Sequence, residues 1–129
     1  MNGKISLDTN IVIRLFKNDT IVIQKLTDYS TIYLPVPVIA ELLFAAKNST
    51  LQEENLKVFS EFIDSCNVLN ITKETAEYYS SIRLCLKQKG RPIPENDIWI
   101  SSVCIENNLP LITGDSHFES VAGLKTIKC

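Results

Sequence analysis

Short apolar runs of strand length alternate along this chain with longer stretches of helical period, and that alternation limits its fold more than any other feature. "KISL", "TIYLP", "VLNI" and "LPLIT" are strand candidates. Between them lie "NIVIRLFK", "PVIAELLFAAKNS", "NLKVFSEFIDSC", "KETAEYYSSIRLCLKQK" and "PENDIWISSVCIENN", which read as helices. A turn, "GDSHF", and a last short strand in "LKTI" close the sequence. Parallel strands need long crossover connections, and helices supply them. The expected class is therefore α/β, a three-layer α/β/α sandwich around a central, mainly parallel sheet.

Local signals mark several helix ends. Pro37 starts its helix, because the N–H that proline lacks would be unpaired in a first turn anyway. Thr50 and Glu53 have capping-box spacing ahead of a helix whose buried face carries Leu56, Phe59 and Ile63. Thr72 caps the next helix, where Ala76, Tyr79 and Leu86 form the apolar stripe and Gly90 ends it.

A chain of 129 residues is long enough to bury a core without staples, so residues 1–129 are read as a single domain with no linker. No apolar run is long and uncharged enough to span a bilayer, and "MNGKISLDTN" lacks the pattern of a secretory leader. A cytoplasmic location is the expectation that follows. Of four widely spaced cysteines, Cys66, Cys85 and Cys104 lie in helical apolar patterns and read as small core residues, not as disulfide or zinc partners.

The stretch "SLDTN" places Asp8 where a buried strand stops, between "KIS" and "IVIRLF". A bare carboxylate there costs several kcal/mol unless something pairs with it. Glu41 poses a similar question in the middle of "VIAELLFAA". Asp97 lies in the first turn of "PENDIWISS", and Asp115 follows the strand "PLIT". Each has a plainer account: Asp8 as a helix cap, Glu41 at a wet helix edge, Asp97 serving the helix dipole, Asp115 closing a turn.

As a group they are harder to set aside. In open parallel sheets, sites form beyond the carboxyl ends of strands, where Asp8 and Asp115 both fall. Converging carboxylates repel unless neutralised, and oxygen donors suit hard divalent cations such as Mg²⁺ or Mn²⁺. Such a cation activates water and neutralises charge on a phosphodiester. The residues alone thus reach metal-dependent phosphate chemistry. A net charge of −2 argues against a nucleic-acid partner at first sight. With these four set aside from the 15 acidic residues, 11 remain against 13 basic ones.

Four segments, "LDTNIVI", "AELLFAA", "IRLCLKQKGRPIPENDIWIS" and "PLITGDSHFESVAGL", together make the chain resemble the PIN-domain ribonucleases, specifically the VapC toxins of toxin–antitoxin pairs. The family's fold is the same three-layer sandwich. The resemblance implies that Asp8 and Asp97 are the main Mg²⁺ (or Mn²⁺) ligands, that Glu41 assists the metal or orients the attacking water, and that Asp115 completes the site. It makes Asn10 and Thr113 polar helpers. It further implies hydrolysis of RNA to 5′-phosphate and 3′-hydroxyl ends, a VapB-type antitoxin as partner, and a homodimer. "NSTLQEENLKVFSEFI" with "KGRPIPENDIWI" is similar to the subgroup that cuts initiator tRNA, yet Ala45 stands where that subgroup often has glycine and "TGDSHF" where it is often asparagine-rich. The resemblance therefore fixes a catalytic class and leaves the RNA open.

Beside the site, Lys87, Lys89 and Arg91 lead into the Asp97 helix as candidates for holding RNA phosphates, against the plainer reading of a solvated helix end. Arg14 and Lys17 carry the same ambiguity. His117 reads as a residue that fixes its loop by hydrogen bonding, not as a general acid. Trp99 and Tyr79 read as core or dimer-interface aromatics. An aspartyl-nucleophile phosphatase would need an aspartate where Asn10 stands, and the four glycines form no G-x-G-x-x-G loop. The alternative from another class is a non-cleaving PIN-like protein that binds RNA or a partner; retention of all four acidic residues favours the enzyme.

Overall fold

The computed structural model describes residues 3–129. Five strands, β1 (Gly3–Leu7), β2 (Tyr29–Pro35), β3 (Asn67–Leu69), β4 (Leu111–Thr113) and β5 (Thr126–Lys128), form one sheet in the order β3-β2-β1-β4-β5. All four pairings are parallel. The helices are α1 (Thr9–Phe16), α2 (Thr20–Leu26), α3 (Val36–Lys47), α4 (Gln52–Ser65), α5 (Lys73–Gln88) and α6 (Glu95–Glu106), with a 3₁₀ turn at Ser116–Ser120. Among the described residues no helix is long and apolar enough to cross a membrane.

Both faces of the sheet are covered, which makes the molecule three-layered. Along β1, Ile5, Ser6 and Leu7 are all fully buried although successive side chains point to opposite faces. β4 behaves the same way, with Leu111, Ile112 and Thr113 all inside. The chain runs outward from β1 through β2 to β3, then α5 and α6 carry it back to β4 on the other flank of β1. The strand order reverses between β1 and β4, and a crevice opens there at the strands' carboxyl ends.

Three local expectations are corrected. α3 starts at Val36, so Pro37 is its second residue and Pro35 its N-cap. α4 is preceded by Leu51 with no side-chain cap, so Thr50 and Glu53 form no capping box. There the tight α3–α4 turn is held by Ser49, whose hydroxyl donates to the Ala46 carbonyl at 2.6 Å and accepts from Asn55 at 2.9 Å. On α5, Thr72 is the N-cap as expected, its N–H donating to Thr75 Oγ1 at 3.0 Å. The inward stripe, however, carries Thr75, not Ala76, together with Tyr79, Ile82 and Leu86. A hydroxyl-bearing residue was inside because Glu106 accepts its hydrogen at 2.6 Å.

All four cysteines are free. Cys104 is a core residue, and burial pushes its thiol up to about 12. Cys66 and Cys85 are only half-buried.

The end of α5 is a Schellman motif. Gly90, at φ +65°, donates to Lys87 O at 3.1 Å, and Arg91 N–H reaches Leu86 O at 3.0 Å. No atom lies within 4 Å of the place a Cβ on Gly90 would occupy. Gly90→Ala is accordingly expected to cost only the conformational penalty, about 1 kcal/mol, read from the denaturation midpoint. A neutral result would mean that the left-handed backbone is not needed there.

Candidate metal and nuclease site

The four acidic residues come from four different elements and line one cleft of about 520 Å³ at the β1/β4 crevice, with Asn10 and His117 beside them. Asp8 is 6% exposed at the end of β1. It is the N-cap of α1, and Thr9 N–H donates to its Oδ1 at 2.8 Å. Its other oxygen accepts from Thr113 Oγ1 at 2.7 Å, across the seam from β4. The Thr113 hydroxyl itself accepts from Asp115 N–H at 3.0 Å, so its single hydrogen is committed to Asp8.

Glu41 projects from the second turn of α3, half-buried, and is held by Thr9 Oγ1 at 2.8 Å. Asp97, in the first turn of α6, has a side chain only 15% exposed. Asp115 caps the 3₁₀ turn by accepting from His117 N–H at 3.2 Å. The plainer roles are therefore real for Asp8, Asp97 and Asp115. They do not compete with the site, because each carboxylate keeps lone pairs for the cleft.

Burial and mutual repulsion set the electrostatics of the cleft. Burial, then the nearby Asp8 carboxylate, push Asp97 up to about 6, with Asp115 and Glu41 adding to the rise. Asp8 is also raised, chiefly by burial, against the hydrogen bonds from Thr113 and Thr9 that favour its charged form. Only His117 opposes the trend at Asp97. Its Nε2 meets Asp115 Oδ2 and its Nδ1 lies 3.5 Å from Asp97 Oδ2. One imidazole cannot neutralise four carboxylates.

The donor set fits a divalent cation. Ligand atoms of Asp97, Asp115 and His117 lie within 4.8 Å of one another; Asp8 and Glu41 line the same cleft outside that closest group. Carboxylate oxygens dominate, as hard cations require.

Sequence reasoning missed two members of this arrangement. Thr9 fixes Glu41 through its hydroxyl; its signal was its place as the first helical residue beside Asp8. His117 does more than fix its loop, since it bridges two carboxylates. Elsewhere, Arg14 is committed inside the fold, donating to Asp19 Oδ2 at 2.9 Å and to the Cys129 carbonyl at 2.7 Å. Trp99 and Tyr79 stack on each other at 4.1 Å, outside the cleft.

A model of the PIN domain matches residues 5–124. The chain belongs to the PIN-domain family. Ribonuclease VapC2 of Haemophilus influenzae is 30% identical over 126 residues, covering 95% of this chain and 96% of that protein. The tRNA(fMet)-specific endonuclease VapC of Shigella flexneri is 29% identical with the same coverage. Among solved structures, VapBC2 from Rickettsia felis bound to a DNA fragment from their promoter superposes with a TM-score of 0.89 at 26% identity, covering 98% of both chains. Within the PIN-domain family the chain is thus a VapC ribonuclease homologue.

Asp97 gives a pH signature for the metal-free protein. Its folded pKa, about 6, lies above the ordinary 3.8, so the penalty of ionising it in the fold is absent below pH 4 and complete above its folded value. Metal-free Asp97→Asn is therefore expected to be more stable than wild type at pH 8, on the order of 2 kcal/mol, with the difference vanishing near pH 4. Denaturation series at both pH values check this; an Asn variant less stable at pH 8 would contradict it.

Proposed function

We propose that this chain is a Mg²⁺- or Mn²⁺-dependent endoribonuclease toxin, with Asp8, Glu41, Asp97 and Asp115 as its metal-holding and catalytic residues. The observation that carries the reading is the convergence of four carboxylates, from four elements, in one cleft, where burial and the neighbouring Asp8 carboxylate push Asp97 up. A divalent cation held there would neutralise charge on a scissile phosphodiester and lower the pKa of an attacking water.

The residues divide the remaining work. Asp8 is the fixed point, its two oxygens oriented by Thr9 and Thr113 before any ligand arrives. Asp97 lines the same cleft from α6, and the pair would supply the main ligand oxygens to a bound cation. Glu41, held by Thr9 but half-exposed to the cleft, is placed to orient a water and accept its proton. Asp115 completes the cleft, and His117 restrains it through their contact. Asn10, exposed at the cleft, offers an amide to the water or to RNA.

RNA is the substrate in this reading, with tRNA favoured by the Shigella flexneri relative's name. A VapB-type antitoxin is the partner, consistent with the VapBC structure from Rickettsia felis that superposes on the chain. Ile21 and Phe44, 66% and 68% exposed, are apolar side chains of the kind that such a partner or a second copy in a homodimer covers. The cytoplasm, where RNA and antitoxin meet, is the expected location.

Purified, antitoxin-free protein incubated with total tRNA and Mg²⁺ tests the reading. Discrete fragments are expected, lost in EDTA and reduced by about two orders of magnitude or more in Asp8→Asn. Intact tRNA from folded protein in either metal, or cleavage that persists in EDTA, would contradict it.

A further inference from the structure

Next to the acidic cleft lies a second groove, of about 640 Å³, that shares His117 with it. It is lined by Lys89 and Arg91 and by Ser116 and Ser120, with Glu119 as its one acidic residue. Among the described residues neither cation is engaged in an ion pair. Both are exposed. They flank Gly90 in the Schellman motif, so the backbone that presents them is pinned by two hydrogen bonds to the end of α5. Lys87 does not line this groove; it lines an adjoining pocket with Tyr79 and Arg83, which shares Pro92 and Ile93 with the groove.

We propose that the Lys89–Arg91 groove is the RNA track, holding backbone phosphates of the strand on one side of the bond presented to the acidic cleft. The inference rests on the nuclease reading above. The acidic cleft by itself repels a polyanion, and a substrate strand needs positive charge close by to stay seated. The groove supplies two cations and two hydroxyls in direct continuity with the cleft, and hydroxyls and cations are the groups that bind phosphate oxygens without reading sequence. Lys87 is not part of the track.

Lys89→Gln/Arg91→Gln is compared with Lys57→Gln/Lys73→Gln, which removes the same charge outside both grooves. In tRNA cleavage with Mg²⁺, the groove pair is expected to raise KM about tenfold while kcat changes by no more than about twofold. In binding of labelled tRNA to Asp97→Asn protein, the same pair is expected to flatten the log–log salt slope by about 1.4–1.8, the loss of two phosphate contacts. The control pair should show neither change. An unaltered slope and KM, or equal effects from the control pair, would overturn the track while leaving the nuclease intact. Failure of the unaltered chain to cut or bind RNA would overturn both readings.

Discussion

The hydrogen bond from Thr113 to Asp8 crosses the seam between β1 and β4, and the rest of the site is arranged around it. Its geometry depends on the sheet. Ser6 and Leu7 pair with Leu111 and Ile112, which brings the ends of two strands far apart in sequence into register. The same hydroxyl accepts from Asp115 N–H, so one threonine fixes the carboxylate of β1 and the backbone that carries the carboxylate after β4. Without donors from Thr113 and Thr9, the carboxylate at Asp8 would be a buried charge with unsatisfied acceptors, costing several kcal/mol.

Those donors orient Asp8 without neutralising it. A hydrogen-bonded carboxylate keeps its charge, and Glu41, Asp97 and Asp115, with Glu95 at the cleft's edge, raise the cost of every charge present. The raised Asp97 is the visible sign of that cost. The molecule thus stores electrostatic repulsion at the topological switch point, where the fold leaves a crevice, and relieves only part of it with His117. Stability is given up where function needs it, a trade common at active sites.

Much of this was legible in the sequence because two strong regularities carry it. Alternating strand and helix signals gave the parallel sandwich, and the strand-end rule brought Asp8 and Asp115 together. Motif order along the whole chain tied Glu41 and Asp97 to them. The illegible parts are those decided by tertiary packing. Thr75 faces inward because Glu106, thirty-one residues away, receives its hydrogen. α4 begins without a box because Ser49 and Asn55 already secure the turn. Arg14 looked free to bind RNA, but Asp19 and the Cys129 carbonyl occupy it. Likewise, nothing in the run from Lys87 to Arg91 indicates that Lys89 and Arg91 line one groove while Lys87 lines the pocket beside it.

The acidic cleft, on this reading, is a binding site for a divalent cation. Anomalous diffraction from crystals soaked in manganese tests it most directly. The account predicts a manganese peak in the cleft, about 2–2.5 Å from oxygens of Asp8 and Asp97. An empty cleft with folded, unprotonated carboxylates, or manganese bound only elsewhere on the molecule, would contradict it.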